Sequence, residues 1–126
     1  MKISITHLGN SHSDWLRSLD FYKHELGILK QRLTEVAGKN SGHEVMAKVE
    51  HFENQFMVQQ ENIDQLSHDI RVNLDAISKA AEESAAGYIE GDLVTKHNSF
   101  GQKFKDEEKV INDLRHEFNE FASVWM

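Results

Sequence analysis

Residues 45–80 read VMAKVEHFENQFMVQQENIDQLSHDIRVNLDAISKA. Within them Val45, Val49, Phe52, Phe56, Gln59, Ile63, Leu66, Ile70, Asn73, Ile77 and Ala80 recur at alternating spacings of four and three. An average spacing of about 3.5 marks a helix that buries one face along other helices. No glycine or proline interrupts the segment, so a single long helix is expected here.

The same spacing runs on both sides. Trp15, Leu19, Tyr22, Leu26, Leu29, Leu33 and Val36 form one seam; Leu93, His97, Phe100, Phe104, Glu107, Ile111, Leu114, Phe118, Phe121 and Trp125 form another. These seams assign most of the apolar residues to packing and leave few for a ligand pocket. The expected fold is all-α: a long antiparallel bundle of three helices with coiled-coil-like heptad seams. Three-helix spectrin-like repeats are the nearest architecture, similar in helix number and heptads.

The ends of the helices are read from local signals. Residues 1–10 carry few helix signals, and Ile3 and Ile5 alternate with polar neighbours, so an extended arm is expected there. The first helix is placed at 11–37. Ser11 with Asp14 forms a capping-box pattern, and Gly38 supplies a left-handed C-cap. Gly27, inside this helix, is read as a weak point that allows a neighbour to approach closely. Ser41 with Glu44 forms a second capping box, opening a helix at 42–86. Gly87 as C-cap and Asp92 as N-cap then define a turn before a third helix at 92–125. Asn98, Ser99 and Gly101 mark a soft spot where that helix is expected to kink.

The lengths do not match, and this has a consequence. Folding back at the first turn covers roughly residues 43–67 of the second helix, and the second turn places the third helix on roughly 53–86. The hairpin tip, about 68–92 with 93–110, then lacks a third helix while carrying Leu74, Ile77, Phe100 and Phe104. The bundle is therefore expected to be staggered and completed by oligomerisation, with a second copy or the N-terminal arm over those four residues. Phe21 and Ile28, one heptad apart and off the first seam, form a second apolar strip for a partner.

Composition limits the function classes. The 126 residues suggest one domain and contain neither cysteine nor proline, which removes disulfides and thiolate metal sites. The formal charge of −7 disfavours nucleic acid and anionic membranes as partners. No apolar run approaches a membrane span, and the start lacks the apolar run of a secretory signal, which reads as a cytoplasmic protein. Protonating all eight histidines would carry the formal charge from −7 to +1, so association sensitive to pH is one consequence to consider.

Four seam positions are polar: Gln59, Asn73, His97 and Glu107. The expected register sets Asn73 and Glu107 at similar heights, a buried pair that would fix register at a cost in stability. A di-iron or hemerythrin-like bundle needs inward carboxylates and histidines on several helices. Asp20 with His24, Asp64 with His68, and Asp113 with His116 and Glu120 have the spacing, but the helical wheel turns those histidines away from the seams. His97-Asn98-Ser99-Phe100-Gly101 resembles the histidine phosphotransfer modules, which carry an exposed histidine four residues before a glycine; Phe100 stands where their lysine usually is. No catalytic, cofactor-binding or metal-ligating residue is assigned, and no cofactor is expected. The function expected is a non-enzymatic protein–protein interaction module (a scaffold, adaptor or small regulatory subunit) binding itself as a homodimer or another protein. A metal-binding bundle and a phosphotransfer module are the alternatives.

Overall fold

A computed structural model describes residues 3–83, 88–89 and 91–126. The chain is all-α: α1 (Ile5–Lys39), α2 (His43–Glu83) and α3 (Asp92–Trp125) pack against one another. Two-residue strands β1 (Ile3–Ser4) and β2 (Tyr88–Ile89) pair antiparallel, Ile3 opposite Ile89 and Ser4 opposite Tyr88. No helix of the described residues is long and apolar enough to cross a membrane.

Contacts divide the chain into two compact units, Met1–Asp20 with Asp64–Asp106, and Phe21–Ile63 with Glu107–Met126. Each unit takes a segment of all three helices. In the second unit Leu26, Leu29, Leu33 and Val36 of α1, Val45, Val49, Phe52 and Phe56 of α2, and Ile111, Leu114, Phe118 and Phe121 of α3 are buried, while Tyr22 and Trp125 are half-buried. Phe52, Phe56, Phe118 and Phe121 form a ring cluster, with Phe52 edge-on to Phe118 at 5.3 Å between centroids. Edge-to-face rings stabilise beyond the area they bury, because the positive edge of one meets the negative face of the other. Asn40 closes this end by donating to the carbonyl of Val36 at 2.8 Å and that of Trp125 at 3.0 Å, so one side chain serves the C-termini of two helices.

The first unit departs from the sequence reading. The arm expected over residues 1–10 is helical from Ile5 onward, and only Ile3–Ser4 is extended. Leu8 is fully buried against Ile77, with Ala80 and Leu93 beside them. The physical reason is that Leu8 and His12 continue the four–three spacing of Trp15 and Leu19. Burying a leucine outweighs the roughly 1 kcal/mol that Gly9 costs a helix. The N-terminal part of α1 is thus the third helix of this unit, so the tip does not lack one.

Local signals were also displaced. The Gly42 carbonyl accepts from the Met46 amide at 3.1 Å, so Gly42, not Ser41, holds the N-cap position of α2. Gly91, at φ 79°, does the same for α3 by accepting from Thr95 at 3.2 Å, in place of Asp92. Ser11 and Asp14 lie inside α1, and Gly38 is helical rather than a left-handed cap. The Gly87 cap falls outside the described residues. α3 runs unbroken through 98–101. Close approach occurs at Gly101, where a Cβ would meet Trp15 Cζ2 at 3.2 Å, and not at Gly27, which has no such neighbour within 4 Å.

Candidate functional site

The polar seam residues are the unusual part of the interior: Gln59, Asn73, His97 and Glu107 are each more than nine-tenths buried. In the first unit Asn73 and His97 join His12, which is fully buried. His12 Nδ1 lies 2.7 Å from the Leu8 carbonyl. A carbonyl only accepts, so Nδ1 carries the proton, and the other nitrogen of a neutral ring is an acceptor. Asn73 Nδ2 donates to it at 2.9 Å. One tautomer of His12 and one orientation of the Asn73 amide therefore follow from the hydrogen bonds alone.

His97 lies against this pair by its ring, stacked on His12 at 5.4 Å and 5.0 Å from Trp15, with His7 5.9 Å away. Burial, then the charges His12 and His7 would carry, hold its pKa below the ordinary 6.5. Burial also lowers His12, against a smaller opposing effect of its bond to Leu8. Two buried atoms of the cluster, Asn73 Oδ1 and His97 Nδ1, have no hydrogen-bond partner among the described residues. Burying a polar atom without a partner costs stability.

In the second unit the amide of Gln59 meets the carboxyl of Glu107. Turned to present its nitrogen, Gln59 lies 2.7 Å from one carboxylate oxygen and 3.1 Å from the other. Burial pushes the Glu107 carboxyl up to about 7. Where the sequence reading paired Asn73 with Glu107, Asn73 donates to His12 within the first unit, and Glu107 meets Gln59 within the second. Elsewhere in the same unit α1 and α3 are joined by Tyr22, which donates to Glu108 at 2.6 Å, by Arg115 with Glu25 at 3.3 Å, and by Arg32 with Asn119 at 2.8 Å. Burial first, then Glu108, pushes the Tyr22 phenol up to about 12.

The residues expected to bind a partner separate into two groups. Ile77 is buried under Leu8, and Leu74, Phe100 and Phe104 are half-buried, Phe104 stacked with Trp15 at 6.2 Å. Of the two covers expected, the N-terminal segment, now helical, supplies Leu8 over Ile77. Phe21 and Ile28 are different, 57% and 53% exposed on α1. Sequence reasoning missed Leu8, His12 and Asn40. The spacing back from Trp15 held the signal for the first two, whereas nothing local marked Asn40.

Among the described residues no three histidines, aspartates or glutamates are grouped to hold a metal. His116 instead faces Glu120 at 3.3 Å in an exposed pair. His97 does not match an exposed phosphoacceptor, since it is buried among rings. No protein-family model, no curated protein and no solved structure matches the chain.

Proposed function

We propose that the chain is a non-enzymatic helical interaction module, a scaffold, adaptor or small regulatory subunit that presents the outer strip of α1 to a helix of a partner, a second copy of itself being the first to test. The observation that carries this is the exposure of Phe21 and Ile28, one heptad apart, on a helix whose inner seam is already filled by Leu26, Leu29 and Leu33. Two large apolar side chains at that spacing fit the helix-in-groove manner of recognition. An antiparallel three-helix arrangement with coiled-coil seams is supported by the short 40–42 connection and the heptads. The polar interior supports the non-enzymatic reading because its amides and carboxyl engage one another. A cytoplasmic location is part of the same proposal.

The test is absolute mass by light scattering over a dilution series, for the parent chain and for Phe21→Ser with Ile28→Ser. A mass near twice 14.5 kDa that falls to the monomer in the double variant, with helicity kept, supports self-association through the strip. A monomer at every concentration removes the second copy as partner. A dimer unaffected by the double variant removes the strip.

A further inference from the structure

The first part of α1 is held to the first unit by few side chains. Among its described side chains before Leu19, only Leu8 and His12 are buried, and Trp15 is half-buried. Leu8 packs on Ile77, with Ala80 and Leu93 beside it, and ahead of it β1 pairs with β2 over two residues. Gly9 lies between the two buried anchors, and no carboxylate stands in the first turn, so this stretch has little helical stability of its own. One of its two buried anchors is thus a titratable ring.

His12 fits this place as a neutral ring. Its Nδ1–H donates to the Leu8 carbonyl at 2.7 Å, and its Nε2 accepts from Asn73 Nδ2 at 2.9 Å. An imidazolium donates at both nitrogens, so a proton on Nε2 would face the Asn73 amide hydrogens. Turning that amide to offer its oxygen remakes the bond, but it leaves a buried charge stacked at 5.4 Å on His97, whose ring is 5.9 Å from His7. The acidic and basic residues on the neighbouring turns do not compensate it. On α1, Asp14 is exposed and pairs with Arg17 at 4.0 Å; on α2, Asp69 is half-buried and accepts from Gln65 at 3.0 Å, and His68 and Asp75 are exposed; on α3, Lys96 and Lys103 are exposed. The charges that bear on His97 are those of His12 and His7, which oppose its protonation. A buried charge without a counter-ion is costly, whereas an imidazole released into water takes a proton below about pH 6.5.

We propose that residues 5–16 of α1 form a strap that acid releases from α2 and α3 of the first unit, with His12 and His97 taking up the protons. Release uncovers Ile77, Ala80 and Leu93, which pack with Leu8 in the closed form. The second unit buries no histidine among the described residues, so the release is confined to the first. A histidine cluster that biases one packed element in this way is a local charge event with a structural readout.

The test is amide hydrogen exchange of the full ¹⁵N-labelled chain at pH 7.5 and pH 5.5, expressed as protection relative to the unfolded-chain rate at each pH. Amides of residues 9–16 are expected to be less protected than those of 29–36 and 114–121 at both values, the mark of local rather than global opening. Between the two values they should lose about tenfold in protection for each histidine that is protonated only after release, hence about tenfold to a hundredfold. His12→Leu with Asn73→Leu and His97→Phe removes both rings and both partners of the buried hydrogen bond, and should cut that loss below about threefold. Leu8→Val, which leaves the rings in place, should lower the protection of 9–16 at both pH values and keep their ratio. Equal protection of the two regions, a loss below about threefold in the parent, a triple variant that keeps the parent's loss, or a Leu8→Val ratio that collapses overturns the proposal.

Discussion

Replacing Glu107 by glutamine should stabilise the protein at alkaline pH and leave it almost unchanged at acid pH. Glu107 is buried and its pKa is raised from 4.5 to about 7 by loss of solvent. The folded form therefore holds a proton that the unfolded chain releases between those values, so stability present below about pH 4.5 is lost as pH rises toward 7. A rise of this size corresponds to about 3 kcal/mol at 1.36 kcal/mol per unit. The Gln59 amide, turned to donate to the carboxylate at 2.7 and 3.1 Å, offsets about 1–2 kcal/mol of that. Glu107→Gln keeps an amide partner for Gln59 and removes the charge. Unfolding free energies from urea titrations of parent and variant at pH 4 and pH 8 should differ little at the first and by about 1–2 kcal/mol in favour of the variant at the second. The histidines contribute to both proteins alike and cancel in the difference. A variant destabilised to the same extent at both pH values would show that the carboxylate is needed for its charge, and would refute the burial argument.

Other expectations follow from the same contacts. His12 and His97 have pKa values lowered by burial, so their contribution is complete above the unfolded value of 6.5 and is lost as pH falls below it; parent stability followed by circular dichroism should drop on that side. Leu8→Ala should cost about 2–5 kcal/mol in urea unfolding, whereas an extended arm at that position would lose almost nothing. Gly27→Ala should add up to about 1 kcal/mol, since no neighbour stands within 4 Å of the new Cβ. Gly101→Ala should fail to gain this, because its Cβ meets Trp15 at 3.2 Å, and tryptophan fluorescence should report the displacement.

The apolar strip of α1 and the polar seam were legible in the sequence for a common reason. Phe21 and Ile28 lie off the seam of their own helix, and Gln59, Asn73, His97 and Glu107 lie on one, so helical periodicity alone separates outside from inside. Phe21 and Ile28 are exposed, and Gln59, Asn73, His97 and Glu107 are buried. Which polar residues meet was not legible, since that depends on axial register between helices. His12 lies within the helix expected at 11–37, yet only the register of the folded helices shows that it is the partner of Asn73.

By itself the sequence determined three helices and their buried faces, because a four–three repeat sustained over many turns leaves a helix one way to bury its apolar residues. The tertiary structure decided where α1 begins, that Leu8 covers Ile77, and that Gly42 and Gly91 hold the N-cap positions. Local signals at a helix end amount to about 1 kcal/mol each, and burial of one leucine exceeds that. Packing between residues distant in the chain therefore overrides them, and only the folded arrangement shows which pairs win.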